Sequence, residues 1–259
     1  MCLIVFGYKI DKKYMLILSA NRDEFFDRPA AALNVWEDKP QIIGGRDLKQ
    51  GGTWMAFNKN GRFAALTNVR DPASIKSDAR SRGDLATSFL LSNADPLNYL
   101  KGVKKDIEHY NGFNLLAGDL NNLFFFSTVD QNIIEVQQGI HGISNHTLNT
   151  PWVKVETVKK ELNTFIELNR DRAGLDISNF ESSLHKIMRN NETASDELLP
   201  DTGVGIELER RLSSIFVSMQ GYGTRSTSVV LWDIDGNLTF SEITWNQKGK
   251  REGYKRFVI

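Results

Sequence analysis

The order in which hydrophobic periodicity changes along this chain restricts its fold more than any other feature. Short apolar and β-branched runs at residues 2–10 and 14–20, split by Asp11-Lys12-Lys13, predict an opening β-hairpin. A polar loop with a proline is expected at 21–29, and Gly44-Gly45 and Gly51-Gly52 are expected to bracket a tight loop. A second hairpin follows over 53–57 and 62–67, joined through Asn58-Lys59-Asn60-Gly61 with its Asn-Gly turn signal. Residues 84–91 and 96–110 then carry apolar side chains at three- and four-residue spacing, with Pro96 placed for a first helical turn. Strands return at 113–118, 123–127 and 133–136. Thr150, read as an N-cap before Pro151, opens an amphipathic run to residue 168, and further helices are expected over 178–188 and near 206–214. The last strands read at 224–232, 238–245 and 254–259. Strands, helices, strands, helices, strands is not the βαβ alternation of a doubly wound fold. It is the order given by two antiparallel sheets packed together and covered by helices, so the expected class is α+β, a four-layer αββα sandwich.

Composition narrows the partners. A chain of 259 residues with 41% hydrophobic side chains suffices for one large core, and a single domain over 1–259 is expected. Lys plus Arg and Asp plus Glu both number 32, without a long run of one sign, which argues against a nucleic-acid or anionic-membrane binder and favours a small acyl or amide substrate. The first residues lack the pattern of a secretory signal, and no stretch reaches the ~18 to 20 apolar residues of a spanning helix, so a cytoplasmic protein without an integral membrane segment is expected. One cysteine and four dispersed histidines offer no metal-ligand spacing, and neither metal nor cofactor is expected.

Cys2 is the sharpest chemical feature. Initiator Met is trimmed when the next side chain is small, which would leave Cys2 with both a thiol and a free α-amine. Reference pKa values of ~8.5 and ~7.7 to 8.0 leave only a few per cent of such a thiol ionised at neutral pH, so a nearby cation is needed. A tight hairpin sets the start of its first strand beside the end of its second, which brings Arg22 to Cys2. Arg22 is therefore expected to lower the thiol pKa, and Asp23 to accept from the amine or thiol. The plainer reading makes Cys2 a small apolar residue at a strand end and Arg22, Asp23 and Glu24 a solvated turn. Asn68 and Asn145 both sit where a strand leaves the sheet, placed either to donate to an oxyanion or merely to cap a turn. Arg225 follows a Gly-rich turn and is read as a binder of substrate carboxylate or phosphate, or as a partner of a surface acid. His109 and His185 are expected at helix surfaces or ends, and His141 and His146 flank Asn145.

These residues carry a family resemblance. Met1-Cys2-Leu3-Ile4, Asn21-Arg22-Asp23-Glu24, Gly51-Gly52-Thr53-Trp54, Thr67-Asn68-Val69-Arg70, Ser144-Asn145 with Thr150-Pro151-Trp152, and Tyr222-Gly223-Thr224-Arg225-Ser226 look like the NRDE family, also called the transport-and-Golgi-organisation 2 family. That family resembles the cysteine-type N-terminal-nucleophile hydrolases, which implies their αββα fold. By motif, the resemblance makes Cys2 the nucleophile, Arg22 with Asp23 or Glu24 its charged neighbours, and Asn68 and Asn145 the oxyanion donors. Glu24, Trp54, Arg70, His146 and Arg225 become candidate substrate-binding residues, with packing as the other reading of Trp54. The family is also associated with secretory organisation, mitochondria and the handling of haem or acyl lipids, and it brings no agreed substrate.

Two functions follow as expectations. In the first, Cys2 cleaves a non-peptide amide or a thioester, as an amidase or acyltransferase. In the second, the same pocket carries or senses a hydrophobic ligand without turnover. Acyl-CoA or lipid ranks above haem there, because haem needs an axial ligand and only isolated histidines and Cys2 are present.

Overall fold

The computed structural model describes residues 2–170 and 176–259. Met1, whose removal the reading of Cys2 requires, lies outside them. In chain order the elements are β1 (Cys2–Tyr8), β2 (Tyr14–Phe25), β3 (Ala30–Val35), β4 (Ile42–Asp47), β5 (Met55–Asn58), β6 (Arg62–Asn68), α1 (Gly83–Leu91), α2 (Pro96–Lys105), β7 (Phe113–Asp119), β8 (Leu123–Ser127), β9 (Ile133–Glu135) and β10 (Gly139–Ile143). There follow α3 (Val153–Asn169), α4 (Ile177–Ile187), α5 (Ile206–Leu212), β11 (Ser218–Met219), β12 (Tyr222–Asp233), β13 (Leu238–Trp245) and β14 (Arg251–Val258). They divide between two compact units, one of residues 1–26, 137–144 and 149–259, the other of residues 27–136 and 145–148.

The first unit is an antiparallel sheet in the order β10-β1-β2-β12-β13-β14, with β11 paired to β12. Side chains alternate across a strand, so Leu3, Val5, Ile17, Val229 and Leu231 share one face, where they pack on apolar residues of α3 and α4 such as Leu162 and Leu184. The other face carries Cys2, Ile4, Phe6, Leu16 and Leu18, all buried. With both faces apolar, β1 reads as a continuous hydrophobic run rather than an alternation.

The second unit is a meander in which β3 to β9 follow one another in sheet order. Helices α1 and α2 cover one face, where Leu85, Phe89 and Leu100 meet Leu66, Phe113 and Phe126. Asp95 caps α2 by accepting from the Asn98 amide at 3.0 Å, with Pro96 in the first turn where its missing N–H costs nothing.

The hairpins and helices read from the sequence are present within a few residues, and four expectations are corrected. Strand β2 does not end at Ala20 but runs on through Asn21, Arg22, Asp23 and Glu24 to Phe25, because β12 pairs with this part of β2 along its whole length. The Gly44-Gly45 pair lies in strand β4, where Gly44 opposes Ala56 so closely that a Cβ would come within 2.5 Å of the Ala56 Cβ. Helix α3 begins at Val153 with Trp152 as its cap residue, not Thr150. His185 is buried, 5% exposed, with Nε2 3.0 Å from the Ser241 hydroxyl. Among the described residues no helix is long and apolar enough to cross a membrane.

Burial depresses the His185 pKa to about 4, with Glu181 one helical turn away opposing the shift and Arg251 adding to it. Glu181 itself is held by Tyr254 and Arg256. A histidine depressed in the folded state leaves stability intact above its unfolded pKa of ~6.5 and loses it as pH falls towards the folded value. Urea unfolding should therefore show about 3 kcal/mol lost between pH 7 and pH 4 from this group, and His185→Gln should flatten that part of the profile.

Candidate active site

Cys2 opens β1, and the β1–β2 ladder sets it directly across from Arg22. On the other side of β2, Arg22 pairs with Ser226 of β12. Cross-strand partners point to the same face, so Cys2, Arg22 and Ser226 form a row across three adjacent strands. Cys2 is 7% exposed and Arg22 9%. The Cys2 carbonyl accepts a hydrogen bond of 3.4 Å from the Ser144 hydroxyl, which ties the strand end to the residue following β10. The expected neighbour of the thiol is thus in place, but its expected effect is not. Burial pushes the Cys2 thiol up to about 11, Asp23 adds to the rise, and Arg22 opposes it without offsetting it. At neutral pH such a thiol is ionised to about one part in ten thousand.

Alternation divides the roles within the 21–24 tetrad. Asn21 faces α4, where its amide donates to the carbonyls of Met188 and Ile215, each at 2.9 Å. Its own oxygen accepts from Thr227 at 2.6 Å, and Thr227 accepts in turn from the Trp245 indole. Asn21 is a fully buried structural bracket. Asp23 takes the Thr224 hydroxyl at 2.7 Å, two residues from Asn21 and so on the same face of the sheet. Glu24, half-buried on the Cys2 side, accepts from the Phe25 amide.

The second unit gathers Asn68, Arg70 and Asn145. Asn145 is fully buried, and its amide nitrogen donates to the Asn68 carbonyl at 3.0 Å. Arg70 grips the same residue, with its backbone amide on the Asn145 carbonyl at 2.8 Å and its guanidinium 3.4 Å from the Asn145 side-chain oxygen. Asn68 thus meets Asn145 through its backbone, so the two expected donors are joined in series. Asn114 is a bracket that motif reading missed: from the start of β7 it donates to Thr67 at 2.9 Å and to the backbone carbonyl of the half-buried His146 at 2.6 Å. Its sequence signal is a lone amide inside an apolar strand. Trp54 is 9% exposed and its carbonyl accepts the Leu66 amide, which fits the packing reading.

His141 is fixed in one tautomer: the Asn149 amide donates to its Nδ1 at 3.1 Å, leaving Nε2 to donate to the Gln137 carbonyl at 2.8 Å. Burial lowers its pKa, which favours the neutral ring in that arrangement.

The motif of the Transport and Golgi organisation 2 family matches residues 1–247. The chain belongs to that family. The Transport and Golgi organization protein 2 homolog of Homo sapiens is 36% identical over 259 residues, covering 93% of this chain and 92% of that protein. The Drosophila melanogaster protein of the same name is 29% identical over 271 residues, covering 94% and 92%. A crystal structure of a variant conjugated bile acid hydrolase from Clostridium perfringens shares the fold at a TM-score of 0.51 and 10% identity, covering 99% of this chain and 92% of that one. At that identity the likeness is one of fold alone, and it bears out the α+β, αββα class of N-terminal-nucleophile hydrolase type. The fold of this family member is hydrolase-like.

Replacing Asn21 by Leu should lower unfolding free energy by at least about 3 kcal/mol, because two carbonyls and a hydroxyl would lose their buried partner. Chemical denaturation checks this; a change below about 1 kcal/mol would contradict the bracket role.

Proposed function

We propose that this family member is an N-terminal-nucleophile amidase or acyltransferase that cleaves a non-peptide amide or a thioester through Cys2. The observation that supports it is the row of Cys2, Arg22 and Ser226, with the chain's one cysteine at a strand start facing a buried guanidinium in a hydrolase-like fold. The reading requires removal of Met1, which gives Cys2 its own α-amine. The amine, with a reference pKa of ~7.7 to 8.0, takes the thiol proton as sulfur attacks the carbonyl carbon, and a C–S bond forms while the carbonyl electrons move to oxygen. Collapse of the tetrahedral adduct breaks the C–N or C–S bond of the substrate, and the leaving group departs with the proton held by the ammonium. Water or an acceptor nucleophile then cleaves the acyl-thioester and returns the thiol. Asn68 and Asn145 enter as oxyanion donors through the motif resemblance alone, and Asp23 as the group orienting the amine on the same basis. With Met1 still attached, burial holds the thiol up at about 11, so the reading assigns the proton to the amine that loss of Met1 would expose rather than to a pre-formed thiolate.

The second reading, a carrier or sensor of a hydrophobic ligand such as acyl-CoA or another lipid, draws on the same burial: a neutral, enclosed thiol serves as a wall. Ligand binding that survives Cys2→Ala, with no acyl-enzyme on an amide and thioester panel, would favour it.

Intact-mass spectrometry with a limiting haloacetamide tests the first reading. The expected result is loss of Met1 and a single adduct that Cys2→Ala abolishes, formed at pH 7 faster than on a free-cysteine peptide. Retained Met1, or a rate at or below the peptide's, would refute it. In an N-terminally extended form, where the amine is removed from Cys2, labelling should be slow at pH 7 and climb about tenfold per pH unit towards pH 11.

A further inference from the structure

In the second unit two opposite charges stand across adjacent strands without meeting. Asn58, Arg62 and Asp119 are cross-strand partners over β5, β6 and β7, so their side chains share a face. Alternation makes it the face on which Ala56, Ala64 and Ala117 are buried under the helices. Arg62 opens β6 and Asn68 closes it, so at about 3.4 Å per residue the two lie roughly 20 Å apart and the Asn68–Asn145 contact is at the far end of the strand.

Opposite charges directly across a ladder ordinarily pair, but each of these is drawn elsewhere. Helix α1 stops at Leu91, and the Arg62 guanidinium stacks 4.2 Å from the centre of the Phe89 ring while Nη2 donates to the Ala94 carbonyl at 2.6 Å and the Ser92 hydroxyl at 3.3 Å. Asp119 turns Oδ1 to the backbone amides of Asn121 and Asn122, at 2.9 and 3.0 Å. Among the described residues neither charge forms an ion pair, and Arg62 Nε is buried without an acceptor. Burial lowers the Arg62 pKa, and Asp119 and Asp95 oppose the shift only through space. Both charged residues line a cavity of about 400 Å³, together with Gln41, Asn60, Asn93 and Leu120. That volume takes a small ligand. The side-chain amides of Gln41, Asn60 and Asn93 make no hydrogen bond among the described residues, so each brings donors and an acceptor to the cavity.

The charges decide the ligand. A simple anion on Arg62 would face the Asp119 carboxylate, a simple cation on Asp119 would face the guanidinium, and a neutral sugar would leave both charges without a counter-charge. A zwitterion satisfies the two at once, and an α-amino acid carries both of its charges on one carbon. We infer that this cavity binds a free polar α-amino acid, with its carboxylate on Arg62, its ammonium on Asp119 and its side chain among the amides of Gln41, Asn60 and Asn93. The site is independent of the reading of Cys2.

Thermal unfolding of the full chain with each standard L-amino acid at roughly 10 mM finds the ligand, because that concentration stabilises the folded state for any Kd of about 1 mM or tighter. At least one polar amino acid should raise the melting temperature, and glucose and inorganic phosphate should not. Calorimetric titration then compares that amino acid with its N-acetyl derivative, which lacks the ammonium, and its carboxamide, which lacks the carboxylate. Each derivative should bind at least about tenfold more weakly, the yield of one charge-assisted hydrogen bond. Asp119→Asn keeps an acceptor for the turn and removes the charge, so it should weaken the amino acid and leave the N-acetyl derivative unchanged. Arg62→Gln should weaken the amino acid and leave the carboxamide unchanged. Should Arg62→Gln fail to fold for want of its bonds to Ala94 and Ser92, the two derivatives and Asp119→Asn decide. No stabilising amino acid, an N-acetyl derivative that binds as tightly as the amino acid, stabilisation by glucose or phosphate in its place, or binding that Asp119→Asn does not move overturns the inference.

Discussion

Strand β2 lies between β1 and β12 and carries polar side chains through the middle of a sheet, so every one of those side chains must find a partner inside the protein. That requirement organises the rest of the first unit. Asn21 meets it by linking the end of α4, the segment before β11 and, through Thr227, the indole of Trp245. Asp23 meets it through Thr224, whose hydroxyl also accepts from the Val217 amide. A slip of one residue in the β1–β2 pairing would exchange the two faces, putting Arg22 among the helices and Asn21 opposite the thiol. The amide network therefore fixes the register, and the register fixes Cys2 opposite Arg22.

The same alternation explains why four consecutive polar residues do not act as one cluster. Their side chains go alternately to the helix face and to the Cys2 face, so the tetrad is two pairs with different tasks. Asn21 and Asp23 are architectural on their observed bonds, while Arg22 and Glu24 stand on the side that carries the thiol. A comparable division holds in the second unit, where Arg70 and the Asn68 carbonyl immobilise Asn145 from two directions. The Asn145 amide nitrogen is held by a backbone carbonyl and its oxygen by the Arg70 guanidinium, so a charged group and a neutral one share the support.

Much of this was legible from the sequence because most elements announce their own period. The β5–β6 hairpin carries Asn-Gly chemistry, α2 carries Asp95-Pro96, and β8, β12 and β13 are rich in β-formers. What escaped was set by neighbours rather than by local pattern. Strand β10 reads Gly-Ile-His-Gly-Ile and β4 contains two glycines, both weak strand formers that become strands because adjacent strands supply the ladder. The extension of β2 through residues 21–24 depends on β12, some 200 residues later in the chain. His185 shows a helical position whose helix is visible and whose burial is not, since its cover comes from β13 and β14. For the candidate site, the pairing of Cys2 with Arg22 was legible from hairpin geometry, whereas the direction of the thiol shift was not. Proximity to a cation can be inferred from spacing, but the depth at which the pair is enclosed cannot.

That enclosure bears on chemistry in a definite way. A guanidinium beside a buried thiol favours the thiolate, yet loss of hydration disfavours it more, and here desolvation dominates. A cysteine in such a place is inert unless the proton can be handed to a base at the moment sulfur attacks. No histidine of the described residues in the first unit is suited to that task, because His141 is locked between Asn149 and Gln137 and His185 is sealed against Ser241. In the proposed reading the base is the α-amine that removal of Met1 would give Cys2, whose distance from the sulfur covalent geometry rather than packing would set. Burial that would silence an internal cysteine would therefore not silence, in the proposed reading, one that gains its own amine, because the proton would have only to cross a single residue.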